Sequence, residues 1–194
     1  MFGAFEKEHK DIVKEYVRGA TVLDLGSGDG ERASIMYSMK PKKIVAVDYS
    51  SALMPMQIQG FLSLKMTFGE LITEKMSLID QADVAYVSWP ANRGGMFSNS
   101  MDDLVKILER IPLVIYTGCN VGGTACGWIE LFEHFRWRSV KAYAPSRRNT
   151  LIVYGKMTGV KRLFIHHEEW AARRGFAPPY EMEMYSDTQD LFEA

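Results

Sequence analysis

The residues of this chain best suited to chemistry lie near its start, in Val22-Leu23-Asp24-Leu25-Gly26-Ser27-Gly28-Asp29-Gly30, an apolar run ending in three glycines interleaved with Ser and Asp. A glycine turn after a strand lets backbone N–H groups approach a ligand closely, as in nucleotide-binding sheets. A dinucleotide fingerprint counted from Gly26 and Gly28 would place Gly or Ala at position 31 and rest a pyrophosphate on the following helix. Position 31 is Glu, and Asp24 and Asp29 stand close by. Like charges at that range repel, so the turn predicts a nucleoside without phosphate. A glycine turn that binds nothing is the competing reading of the motif alone.

A second acid weighs against that reading. Lys43-Ile44-Val45-Ala46-Val47-Asp48 ends in a carboxylate 22 residues after Gly26, where doubly wound sheets place the group that accepts the ribose hydroxyls. Asp48 alone also suits a turn ahead of a helix capped by Ser50 or Ser51. Further on, Ser88-Trp89-Pro90-Ala91-Asn92-Arg93 follows a strand at the edge where open α/β sheets bind ligands. Trp89 is suited to stacking on a planar ligand and equally to anchoring the loop by packing. His134 sits on the polar face of a helical stretch, a surface position before it is a base. His166 and His167 are adjacent and cannot share a face, which speaks against a metal pair. No metal is expected.

These residues need a frame. Apolar runs of strand length near 21–25, 43–48, 64–68, 83–88 and 112–117 alternate with helical stretches at 31–39, 51–59, 72–79 and 101–110, the pattern of βα units in a parallel sheet. A helix at 128–135 and a hairpin of 140–143 with 150–154 follow. The fold class predicted is α/β: a doubly wound, mainly parallel seven-stranded sheet with an antiparallel last strand. Residues 1–158 form this domain. Residues 159–194, with Pro178-Pro179 and a tail from Glu181 that lacks Lys and Arg, form a short C-terminal appendage.

Composition narrows the function classes. The 194 residues carry 23 Lys+Arg against 24 Asp+Glu, a net charge of -1, which excludes a nucleic-acid binder acting by bulk positive charge. With 47% hydrophobic and 12% aromatic residues the chain can bury a core. Charged residues in 1–10 replace the apolar run of a secretory signal, and no apolar stretch approaches the roughly 20 residues that cross a bilayer. Two cysteines, Cys119 and Cys126, make no disulfide framework. The expectation is a cytoplasmic protein without a membrane partner; oligomeric state is not legible.

Taken together, Val22 to Gly30 and Val47-Asp48-Tyr49-Ser50 resemble the first two motifs of class I, Rossmann-like, S-adenosylmethionine-dependent methyltransferases, and the resemblance extends over roughly residues 12 to 157. It implies S-adenosylmethionine as cofactor, with Asp24, Gly26, Ser27, Gly28, Asp29, Gly30, Asp48 and Tyr49 around it, Glu70 near the adenine amine and Leu71 as an apolar wall. A positive sulfonium and an ammonium complement Asp24 and Asp29 as NAD would not, which disfavours a nicotinamide dehydrogenase. Ser88, Trp89 and Pro90 match the start of the family's active-site loop, which in amino-methyltransferases reads Asp, Asn or Ser, then Pro-Pro and an aromatic. Here Trp89 replaces the first Pro and Ala91 the aromatic. The implied activity is methyl transfer to a small molecule or a nucleic-acid base. The alternative is a sensor that binds the cofactor without using it.

Overall fold

The structure is a computed structural model that describes residues 7–49, 52–88, 101–118, 138–146 and 149–155. In chain order it comprises α1 (Lys7–Val17), β1 (Thr21–Leu25), α2 (Glu31–Tyr37), β2 (Lys43–Asp48), β3 (Met56–Ile58), β4 (Phe61–Lys65), α3 (Phe68–Glu74), α4 (Met76–Asp80), β5 (Val84–Ser88), α5 (Met101–Leu108), β6 (Leu113–Gly118), β7 (Arg138–Ser146) and β8 (Asn149–Gly155). One sheet holds the strands in the order β3-β4-β2-β1-β5-β6-β8-β7.

Strand β1 is buried at all five positions because it lies between two parallel neighbours, β2 and β5, and is covered on both faces. β4 and β6 extend the parallel array on either side. β8 then runs antiparallel to both β6 and β7, as the expected closing hairpin requires. On one face, Ile12, Val13 and Val17 of α1 and Ala33 and Met36 of α2 pack on Val22, Ile44, Val84 and Ile115. On the other, Phe68, Leu71, Ile79, Leu104, Ile107 and Leu108 pack on Leu23, Val45, Ala85 and Val114. The sheet is therefore doubly wound. Each Val, Leu, Ile, Phe or Met among them contributes roughly 1.5–3 kcal/mol when fully buried.

Three local expectations are corrected. The sheet has eight strands rather than seven, because β3 adds a short antiparallel edge against β4 within the span 51–59 read as a helix. Pro55 explains it: in a helix interior it would remove a hydrogen bond and clash with the preceding turn. The third parallel strand is 61–65, not 64–68, because Thr67 starts α3. The Thr67 hydroxyl accepts the Glu70 N–H at 3.2 Å and the Glu70 carboxylate accepts the Thr67 N–H at 2.7 Å, a reciprocal cap. The helix expected at 72–79 is two, interrupted at Lys75 with φ -134 and ψ 29. Helix α1 was not anticipated. The helix at 128–135 and the appendage 159–194 lie outside the described residues, among which no helix is long and apolar enough to cross a membrane.

Thr67→Ala should lower the unfolding free energy by about 1 kcal/mol and Thr67→Ser should retain most of it, as measured by urea denaturation.

Candidate functional site

Strand pleating selects the side chains that meet. Val22 on β1, Ile44 and Ala46 on β2, Val84 and Tyr86 on β5 and Ile115 on β6 belong to the core beneath α1 and α2. With a period of two, Asp24, Asp48, Ser88 and Thr117 fall on that same face toward the carboxyl ends. The register places Asp24 beside Ala46 and Tyr86, and Ser88 beside Thr117. The face is thus aliphatic along most of its length and polar at the edge.

Between β1 and α2 the chain turns on Gly26, Gly28 and Gly30, with φ of 78, 62 and 85. The N–H groups of Gly26 and Ser27 both donate to the Val47 carbonyl, at 2.9 and 3.2 Å, and that of Gly30 to the Ser27 carbonyl at 2.9 Å. The Gly28 N–H donates to Asp48 Oδ2 at 2.8 Å. At Gly30 a side chain would be strained by the positive φ and would bring its Cβ to 3.3 Å from Leu53 Cδ1. A Cβ at Gly26 would lie 3.8 Å from the Ser88 carbonyl oxygen, so the turn packs against the start of the second candidate loop.

Asp24 is completely buried, and neither carboxylate oxygen has a hydrogen-bond partner among the described residues. Burial pushes its pKa up to about 7, with Arg32 pulling against the rise and Asp48 adding to it. The hydroxyl of Ser27 is likewise buried without a partner among the described residues. Buried polar groups in native structures are overwhelmingly paired, so two such groups at one turn mark a place that a polar ligand or water completes. A cation suits the carboxylate.

On the other side of β1, Arg32 in the first turn of α2 reaches over the sheet edge. Its Nη1 donates to Ser88 Oγ, to Thr117 Oγ1 at 3.0 Å and to the Tyr86 hydroxyl at 3.5 Å, and the Tyr86 and Thr117 hydroxyls lie 3.1 Å apart. Burial drives the Tyr86 pKa above its usual value, although Arg32 and Thr117 oppose the shift. It stays a neutral phenol.

The structure therefore brings Asp24, Gly26, Ser27, Gly28, Gly30 and Asp48 to one turn and sets Ser88 beside it. Asp29 accepts the Glu31 N–H at 3.0 Å, and Tyr49, 40% exposed, follows β2. Glu70 is exposed and its carboxylate, held below its usual pKa by the Thr67 N–H and hydroxyl, closes the α3 cap. Leu71, expected as a wall for the adenine ring, is instead fully buried in the core of the opposite face and presents no surface. Trp89, Pro90, Arg93, His134, His166 and His167 lie outside the described residues. Arg32, Tyr86 and Thr117 were not anticipated. Their signal was a Tyr and a Thr on same-face positions of otherwise aliphatic strands.

Neither a family model nor a curated protein matches the sequence. Solved structures do match the fold. An rRNA methylase from Streptococcus thermophilus superposes with a TM-score of 0.55 at 13% identity, over 81% of this chain and 99% of that one. A provisionally assigned methyltransferase from Streptococcus mutans, in complex with SAH, gives 0.53 at 12% identity over 81% and 100%. A ribosomal-protein methylase from Lactobacillus delbrueckii gives 0.52 at 15% identity over 80% and 81%. The fold is that of the class I S-adenosylmethionine-dependent methyltransferases.

The Asp24 pKa makes a prediction about stability. Its folded pKa, about 7, lies above the unfolded value of about 3.9, so the folded state binds the extra proton between those values and loses stability as pH rises through that window. The loss is at most about 4 kcal/mol. Urea unfolding at pH 5 and pH 8 should show a steeper decline for wild type than for Asp24→Asn; equal slopes would mean that Asp24 is not strained.

Proposed function

We propose that this chain binds S-adenosylmethionine at the glycine turn and transfers its methyl group to an acceptor at the Ser88 edge. The observation that carries the reading is the buried carboxylate of Asp24, without a hydrogen-bond partner among the described residues, beside a turn whose Gly28 N–H is held by Asp48. The residues fit this cofactor. Asp24 offers a negative charge to a cation, and the Ser27 hydroxyl lacks a partner among the described residues. A carboxylate has several lone-pair sites, so Asp48 can accept from ribose hydroxyls as well as from Gly28. When bound, the cofactor supplies a methyl group already activated on a positive sulfonium.

The chain's own task is then alignment and exclusion of water, the terms that dominate when no hard proton transfer limits the reaction. Gly26 lies against the Ser88 carbonyl, which would set the acceptor edge next to the cofactor turn. Ser88, and with it Trp89 and Pro90, is the proposed start of the acceptor seat. The structural neighbours include an rRNA methylase and a ribosomal-protein methylase, so the fold leaves the acceptor open between nucleic acid, protein and small molecule.

Calorimetry tests the reading. S-adenosylmethionine and its demethylated product should both bind while NAD is silent; the reverse pattern would overturn the assignment. Asp48→Ala should weaken cofactor binding by roughly 1.5–3 kcal/mol, the range for hydrogen bonds to a charged group, with Asp48→Asn weakened less because its amide oxygen still accepts the Gly28 N–H. Labelled methyl transfer to separated RNA, protein and small-molecule fractions of a cell extract should identify the acceptor class. Tight binding with transfer to none would leave a cofactor sensor in place of an enzyme.

A further inference from the structure

The sheet has a second edge, the one at which its parallel strands begin. Thr21, Lys43, Phe61 and Leu113 open β1, β2, β4 and β6 there, and the chain leaves β8 at the same edge, since Gly155 pairs with Leu113. A groove of about 910 Å³ lies across the starts of β1, β2 and β4, with Thr21, Lys42, Lys43, Ile58, Leu62 and Gln81 among its lining residues. None of those residues is an acid. Lys42 is exposed and Lys43 half-buried, and neither forms an ion pair among the described residues. Ile58, exposed, and Leu62, half-buried, supply an apolar side. Asp83, just ahead of β5, accepts the Thr21 N–H at 2.8 Å.

Such a surface fits a strip in which acids alternate with apolar side chains. Glu181-Met182-Glu183-Met184-Tyr185 is one: in an extended chain, Glu181 and Glu183 would share one side and Met182 and Met184 the other. The stretch 181–194 adds Asp187, Asp190 and Glu193 and contains no Lys or Arg. Its tether is long enough. Four strand spacings separate β8 from β2, about 19 Å at ~4.8 Å each, whereas the 25 residues 156–180 can span up to roughly 80 Å. Exposed ion pairs are individually weak, but a tethered segment meets its groove at an effective concentration on the order of millimolar, so a few such contacts suffice.

We propose that residues 181–194 dock across the amino edge of the sheet of their own chain, with Glu181 and Glu183 against Lys42 and Lys43 and with Met182 and Met184 on Ile58 and Leu62. The chain's own segment is favoured over that of a second copy because its exit at Gly155 lies on this same edge. Docked there, it covers the groove and leaves the glycine turn, at the opposite ends of the strands, open to its ligand.

A carbodiimide, which joins an amine directly to a carboxylate in contact with it, tests this on the full chain. In an equal mixture of heavy-labelled and unlabelled protein, Lys42 and Lys43 should couple to Glu181 or Glu183 within single chains. Coupling only between chains of different label would assign the groove to a second copy and overturn the proposal, as would the absence of coupling to any acid of 181–194. Proteolysis gives a second readout. Chymotrypsin should cut after Tyr185 roughly fivefold faster in the double variant Lys42→Glu, Lys43→Glu than in wild type, because cleavage tracks the undocked population. The double variant Glu181→Lys, Glu183→Lys should be cut fast as well, and combining all four changes should restore the slow rate. Equal cleavage of wild type and the lysine variant, or no restoration in the fourfold variant, would overturn the proposal; the coupling experiment needs no variant and decides the matter should a variant fail to fold.

Discussion

The site depends on one hydrogen bond, from the Gly28 N–H to the Asp48 carboxylate at 2.8 Å. It joins the turn after β1 to the end of β2, and it exists only because the two strands are parallel neighbours with Leu25 opposite Val47. A one-residue slip in that register would send Asp48 to the other face of the sheet and leave the turn without its acceptor. The Val47 carbonyl, accepting from both Gly26 and Ser27, pins the same turn from the main chain. Backbone and side chain of two consecutive residues thus hold one loop, and the position of α2, and hence of Arg32, follows from it.

What that arrangement achieves is a separation of charge along the sheet edge. On the β1–β2 side stand Asp24 and Asp48, buried or nearly so; toward β5 and β6 stands the Arg32 guanidinium among three hydroxyls. The opposite charges influence one another, since Arg32 lowers the Asp24 pKa against the effect of burial, but the carboxylate oxygens of Asp24 make no hydrogen bond among the described residues. A tightly paired, fully satisfied ion pair would have offered a ligand little. A buried acid without a hydrogen bond among the described residues costs stability when ionised, a cost that a cation placed beside it would lower.

Much of this was legible in the sequence because it is written locally. β1 and β2 were read at 21–25 and 43–48, the residues they occupy, since short runs rich in β-branched and aliphatic residues, followed by a glycine turn or opened by lysines, favour strands over helices of that length. Asp24, Gly28 and Asp48 were legible from spacing. Arg32 was not, because a lone arginine early in a helix looks the same whether it points to solvent or over a sheet edge; its partners are 54, 56 and 85 residues away. Leu71 was misplaced by analogy: the displaced start of α3, set by the Thr67 and Glu70 cap, turns it into the core. Pro55 carried enough information to exclude a helix over 51–59.

The rigidity of the two halves of the site follows from where their atoms are attached. Tyr86, Ser88 and Thr117 are strand residues in one continuous ladder, with Tyr86 opposite Ile115 and Ser88 opposite Thr117. Arg32 is carried by a helix whose Ala33 and Met36 are completely buried against the same sheet. Groups on packed elements keep their mutual geometry more closely than groups on loops, and displacement chemistry is sensitive to small errors in approach. The Arg32 cluster and the glycine turn are therefore held in a fixed relation to one another by the packed strands and helix that carry them.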